Sequence, residues 1–193
     1  MATARAGRPR DSSLDERALA AARELLVEEG FEATTMQAVA KRSQVHSSAL
    51  YRRWPSRIEL IQDAIFPGFD PPTVAPTGDL RADLRRFLEA YLEAFGSPAA
   101  VAAAPGLMAH HRTNARAESP EQYLRVSARP QFREILATAP AGAVDPRLDP
   151  DDVFDILLGA ILSRTLVPTI AKHPKPLDRT IDLLVRMVRP DDG

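Results

Sequence analysis

The sequence predicts an all-α protein built of two units, and three observations carry that expectation. Apolar residues recur at the 3.6-residue period of an amphipathic helix through most segments, and none sustains the alternation of a half-buried strand. The prolines are unevenly placed: 2 of the 17, Pro9 and Pro55, lie in residues 1–66 and the other 15 in residues 67–193. Between these regions, residues 67–78 (PGFDPPTVAPTG) suit neither a regular helix nor a central strand, because proline lacks the N–H that both ladders need. The expected organisation is a basic arm over 1–10, a compact unit over 11–66, a proline-rich connection over 67–78 and a larger helical unit over 79–193.

Each element has a local reason. In the first helix Leu14, Ala18, Ala22, Leu25 and Leu26 form the apolar stripe, and Gly30 stands where a left-handed residue would end it. Thr34-x-x-Gln37 has the spacing of a capping box and opens a short helix to about Arg42, with Met36, Val39 and Ala40 facing inward. A tight turn at 43–45 leads to a third short helix, from about His46 to Arg53. Pro55 ends that helix, and Ser56-x-x-Glu59 is a second capping box for a helix carrying Ile58, Leu60, Ile61, Ala64, Ile65 and Phe66. Asp79 is an acidic N-cap for a helix over 80–95, striped by Leu84, Phe87, Leu88, Tyr91, Leu92 and Phe95. Less regular helical pieces follow over about 99–117 and 120–137. Asp149-Pro150 is a strong start, since a proline at the first helical position lacks an N–H that would be unpaired anyway. The helix it opens is apolar on almost all sides, which predicts burial on more than one face; the last, with Leu177, Ile181, Leu184, Val185 and Val188, is striped on one.

Composition excludes several function classes. Hydrophobic residues make up 45% and charged residues 26% of the 193, a globular balance. The absence of cysteine removes disulfides, thiolate metal sites and cysteine nucleophiles. Neither a Gly-x-Ser-x-Gly, a phosphate-cradling glycine loop nor a His-Glu-x-x-His occurs, so no enzyme, cofactor or structural metal is expected. The longest apolar run, 156–162, is too short to span a bilayer and no leader-like segment opens the chain; a soluble cytoplasmic protein without a membrane partner is expected. The formal charge of −1 rules out a uniformly basic coat, but the charges are segregated. Residues 33–58 hold five basic side chains (Lys41, Arg42, Arg52, Arg53, Arg57) and no acid, residues 1–10 add three more, and residues 11–32 carry seven acids against two bases.

Two short helices joined by a tight turn and braced by a longer first helix make a helix-turn-helix, a motif that lays its second short helix in the DNA major groove. The residues Gly30-Phe31-x-x-Thr34-Thr35-Met36-x-x-Val39-Ala40, then Val45-x-x-x-x-Leu50-Tyr51-x-x-Trp54-Pro55-Ser56-Arg57-x-x-Leu60, resemble the DNA-binding domain of TetR-family transcriptional regulators over about 14–66. The second unit resembles the family's helical regulatory domain in architecture, and Asp-Ile-Leu-Leu-Gly at 155–159 is similar to a common C-terminal subtype.

The resemblance implies a ligand-responsive regulator, a repressor that binds a pseudo-palindromic double-stranded operator as a homodimer and is released by a small-molecule effector. It places Thr34 and Thr35 at a phosphate and Tyr51, Arg53 and Arg57 on the backbone. Ser47, Ser48 and Ala49 would face base edges, with Arg52 a further candidate for phosphate or guanine. Two positions depart from the family pattern: Gln44 stands where glycine is usual, and His46 where serine or threonine is usual. Gln44 therefore implies a strained turn or an altered one, and His46 is a poorer cap that could itself reach the DNA. The arm with Arg8 and Arg10 reads equally as a minor-groove insert or a solvated tail. Structural readings stand beside these: Thr34 and Thr35 as caps alone, Tyr51 as a core edge, and the whole motif as a protein-binding adaptor.

In the second unit, a helix apolar all round beside a striped one predicts a homodimer through Phe154, Leu158, Ile161, Leu162, Ile181, Leu184 and Val188. Tyr91, Phe95, Leu107, Met108, Tyr123 and Phe132 are candidates for an apolar effector pocket, with His110, His111, Arg112 and Asn114 for its polar groups. At helical spacing the same residues read as plain core.

Overall fold

The structure is a computed structural model and describes residues 12–66, 72–114, 128–167 and 176–190. Among the described residues it contains nine helices and no strand. The chain divides into two compact units, Met1–Ala64 and Ile65–Gly193.

The first unit comprises α1 (Ser12–Glu29), α2 (Met36–Ser43), α3 (Ser47–Arg53) and α4 (Arg57–Ile65), whose last residue already belongs to the second unit. Ala18, Ala21, Ala22 and Leu25 of α1 share a core with Met36 and Val39 of α2, with Leu50 and Trp54, and with Leu60 and Ala64 of α4. Three alanines on one side let the other helices approach closely, and Gly30 ends α1 as expected. At φ +84° its N–H reaches the carbonyls of Leu25 and Leu26 at 3.1 and 3.2 Å.

The start of α2 differs from the sequence expectation. Thr35, not Thr34, is the N-cap: its hydroxyl accepts from the Ala38 N–H at 3.1 Å. Thr34 is fully buried and donates its hydroxyl to the Gly30 carbonyl at 2.9 Å, bracing the stop of α1. The one-residue shift takes Gln37 out of capping-box register. At α4 the box forms in altered shape: Ser56 Oγ accepts from the Glu59 N–H and donates to Glu59 Oε1, both at 3.1 Å. Trp54 Nε1 donates to Asp63 at 2.8 Å and Arg23 to the Ala64 carbonyl at 3.0 Å, fixing α4 against α3 and α1.

The second unit contains α5 (Leu80–Gly96), α6 (Pro98–Asn114), α7 (Arg129–Thr138), α8 (Pro150–Leu166) and α9 (Leu177–Val188). Its core joins Leu84, Phe87 and Leu88 of α5 to Phe132 and Ile135 of α7, Leu157 and Ile161 of α8, and Ile181 and Leu184 of α9. The acidic caps act as predicted, Asp79 accepting from the Ala82 N–H at 3.0 Å and Asp149 from the Asp151 N–H at 2.9 Å. Where a less regular helical piece is expected over about 99–117, residues 98–114 form one helix with Pro105 inside it.

Residues 72–78 of the proline-rich connection are held to this unit by side chains. The Gln131 amide donates to the Pro72 carbonyl and accepts from the Val74 N–H, each at 2.8 Å. Buried Asp83 accepts from the Thr77 N–H and hydroxyl and from the Gly78 N–H, and pairs with Arg86. Burial alone would push its carboxyl up, yet these hydrogen bonds and the guanidinium hold it below the ordinary value.

The second buried face expected of α8 is not supplied within the single chain. Only its Val153, Phe154, Leu157 and Ile161 side meets the core, while Ile156 is 58% exposed. A helix apolar all round gives no direction to its burial, and one chain covers one side of it.

Candidate nucleic-acid interface

The short helix α3 presents two opposed sides. Leu50 is fully buried and holds the helix in the core, whereas Ser48, Tyr51 and Arg52 are exposed at the i, i+3, i+4 spacing of one helical face. Tyr51 is 51% exposed, an unusual position for a large ring with no partner to cover it, and so not a core edge. Ser47 is half-buried beside this face.

The turn before α3 carries the strain that its sequence implied. Gln44 adopts φ 57°, ψ 32°, the left-handed conformation that glycine takes without penalty, and its N–H caps α2 through the Ala40 carbonyl. The geometry of the turn is kept and the side chain is exposed. His46 occupies the N-cap of α3 without a side-chain cap bond, which leaves its exposed imidazole unspent at the head of the helix.

Of the five basic residues in 33–58, three are engaged inside the unit. Arg42 pairs with Glu28 at 2.5 Å and Glu29 at 3.0 Å, and these carboxylates raise its already high pKa. Arg53 pairs with Asp15 of α1 at 2.5 Å. Arg57 donates to the Phe31 carbonyl at 2.7 Å, lies 4.3 Å from the centre of the Phe31 ring, and approaches Glu32 at 3.5 Å. Arg53 and Arg57, placed on the DNA backbone by resemblance, tie α3 to α1 and α4 to the loop after α1 in the DNA-free chain. Arg52 and Lys41 are exposed and have no ion pair among the described residues. Lys41 was not among the predicted contacts; its position in the last turn of α2, with no acid in 33–58, was the available signal.

Thr34 is likewise removed from any phosphate, because it is fully buried with its hydroxyl spent on Gly30. Thr35 remains at the head of α2, where its own hydroxyl covers one N–H of the first turn. Arg8 and Arg10 lie outside the described residues.

The candidate effector residues scatter. Phe132 is fully buried, its ring centre 5.5 Å from that of Phe87 and 5.7 Å from that of Phe154, and it belongs to the core. Met108 is 43% exposed and Arg112 is exposed, so neither lines an interior. His110 and His111 are half-buried, their rings edge to face at 5.8 Å, and no group of three or more metal-binding side chains occurs among the described residues. Tyr123 lies outside the described residues. Tyr91 and Phe95 do share one face of α5, with ring centres 6.4 Å apart.

The predicted dimer residues fare in two ways. Phe154, Ile161, Ile181, Leu184 and Val188 are buried in their own chain's core and have no surface to offer. Leu158 and Leu162 are half-buried. The outward apolar residues are instead Ile156 of α8 and Leu183 of α9, each 58% exposed. The stripe of α9 marked its inward side, and the residues between the stripe positions were the ones left outside.

These features define a helix-turn-helix DNA-binding unit joined to a helical second unit, in a chain whose described helices are none of them long and apolar enough to cross a membrane. Comparison with known proteins places it more closely. Residues 18–64 match the family of bacterial regulatory proteins of the tetR type, and residues 74–184 match the Tetracyclin repressor-like C-terminal domain. The chain therefore belongs to the TetR family of DNA-binding transcriptional regulators, which are not enzymes. It is 28% identical over 180 residues to an uncharacterized HTH-type transcriptional regulator of Mycobacterium tuberculosis, covering 92% of this chain and 84% of that one. Over 58 residues (30% of this chain, 29% of the relative) it is 38% identical to the uncharacterized HTH-type regulator YdeS of Bacillus subtilis. Among solved structures, GusR of Salmonella enterica shares the fold at a TM-score of 0.62, with 21% identity and coverage of 93% and 97%. A TetR-family regulator of Haemophilus influenzae does so at 0.57, with 17% identity and coverage of 95% and 100%.

Proposed function

We propose that this protein is a dimeric repressor that reads a pseudo-palindromic operator through the outward face of α3 and is released by a small-molecule effector held in the second unit. One observation carries the DNA reading. Ser48, Tyr51 and Arg52 stand together on the exposed face of α3 while the other arginines of the motif are neutralised inside the unit. In this reading Arg52 and Lys41 meet phosphates, and the Tyr51 hydroxyl grips the backbone. Ser47, Ser48, Gln44 and His46 reach base edges, with Thr35 and the first turn of α2 against a phosphate.

The exposed Ile156 and Leu183 support dimerisation through α8 and α9, because isolated apolar side chains of this size gain about 1.5–3 kcal/mol each on full burial. A two-fold dimer implies half-sites one helical turn, or a multiple, apart. Effector binding would bias α4, the one helix whose sequence runs from the first unit into the second.

Selection of bound fragments from the source genome, followed by titration of the recovered duplex, tests the reading. Arg52→Ala weakens binding to every duplex and flattens its salt dependence, whereas Arg53→Ala lowers the unfolding midpoint of the first unit through loss of the Asp15 pair. Salt-independent binding, or no shift of any duplex, would return the motif to a protein-contact role.

A further inference from the structure

Among the described residues of the second unit, Tyr91 carries the one buried side-chain polar atom that its own core leaves unanswered. Its residue is 4% exposed, and its hydroxyl has no hydrogen-bond partner among the described residues. An unmade bond on a buried hydroxyl is costly, so a group in that state is either a defect or a place kept for something else. Its surroundings have a definite chemistry. Phe87 stacks on the Tyr91 ring with centres 4.3 Å apart and planes at 24°, and Phe95 lies on its other side along α5 at 6.4 Å and 25°. Beyond Phe95 the column continues to Phe66 at 5.2 Å, the residue directly after α4. Burial rises along the column, from half-buried Phe66 and Phe95 to Tyr91 and to fully buried Phe87.

We infer that the Tyr91 hydroxyl is the polar anchor of the effector, and that the effector is an uncharged aromatic molecule carrying a hydrogen-bond acceptor such as a carbonyl. The inference rests on the proposed effector role of the second unit and adds its chemistry. The stacked rings favour a flat, apolar body. The hydroxyl stays protonated, since burial pushes its pKa well up, and therefore donates. Burial is the cause of the shift, and among the described residues no charged neighbour contributes to it, which disfavours an ionised ligand. A molecule inserted at Tyr91 would meet Phe95, and Phe95 is what Phe66 rests on.

The test uses three probes of one shape on the full-length protein: 1-acetonaphthone, naphthalene and 1-naphthoate, with affinities measured by calorimetry. The acceptor-bearing ketone binds about tenfold more tightly than naphthalene, and the carboxylate binds more weakly than either. Tyr91→Phe keeps the ring and removes the hydroxyl, so the ketone loses its tenfold advantage while naphthalene is unaffected. Without probe, Tyr91→Phe raises Tm by roughly 2–4 °C, because it deletes a buried donor that has no partner. Equal affinities of ketone and hydrocarbon, no binding of any probe at its solubility limit, or a lower Tm for Tyr91→Phe would each overturn the inference. DNA binding of the probe-free protein is measured alongside; its loss would refute the regulator reading while leaving the anchor test intact.

Discussion

Replacing Gln44 by glycine isolates the conformational cost of the turn between α2 and α3. At φ 57° and ψ 32° a residue with a β-carbon carries a left-handed penalty of about 1–2 kcal/mol. Glycine removes it but loses more backbone freedom on folding, by about 0.5–1 kcal/mol. The Gln44 side chain is exposed and makes no cap bond, so its packing contributes nothing to the balance. The difference stabilises the first unit by about 0.5–1 kcal/mol, or a few degrees in the Tm of a domain of this size. The chain has a single tryptophan, and Trp54 lies in the core of that unit at 5% exposure, so its fluorescence during guanidinium unfolding reports the unit directly. Gln44→Gly raises the midpoint with an unchanged slope, and Gln44→Ala, which keeps the β-carbon, leaves the midpoint where it was. An equal gain from alanine would show that the glutamine side chain, not the backbone, was the source of strain. A loss from glycine would show that the turn is not strained at all.

Three further perturbations follow from the second unit. Asp83→Asn removes the charge that answers Thr77, Gly78 and Arg86, and costs about 2–3 kcal/mol at neutral pH. The carboxyls of Asp83 and of Asp145, the latter drawn down to about 2 chiefly by its hydrogen bond from Arg147, are depressed on folding. Their contribution is present above the unfolded value near 4 and is lost as pH falls through the folded values, so the denaturation midpoint drops between about pH 4 and 2. At the surface, Ile156→Glu and Leu183→Glu convert dimer to monomer in sedimentation without loss of helicity, whereas Ile181→Glu unfolds the unit because that side chain is fully buried.

What was legible in the sequence is what local chemistry decides. Gly30, Asp79 and Asp149-Pro150 marked helix ends correctly because a cap involves a backbone group within a few residues of its own position. The all-helical class and the helix-turn-helix were readable for the same reason, from periodicity and short spacings. Adjacent Thr34 and Thr35 could not be told apart, since the choice depended on which one the end of α1 would bury. The partners of the arginines were equally hidden: Arg53 meets Asp15 across 38 positions, and no pattern within α3 reveals it. A stripe shows which side of a helix is apolar, as on α9, but in α8 both sides are, and only the packed chain shows that Ile156 is the one left out.

The internal pairing changes what the basic arm must do. Had all five cations of 33–58 been free, the folded face alone would account for strong phosphate attraction; with Arg42, Arg53 and Arg57 paired, each protomer retains Lys41 and Arg52. Two such contacts per protomer give a dimer four, and a log–log salt slope of about −4. Arg5, Arg8 and Arg10, if they enter the minor groove, add six per dimer and bring the slope to about −9. Deleting residues 1–10 therefore separates the two readings of the arm through a single titration series at several salt concentrations. A fall in slope of about 5, with affinity lost mainly at low salt, shows an arm that neutralises phosphates in the complex. An unchanged slope shows a solvated tail, and leaves recognition to the exposed face of α3.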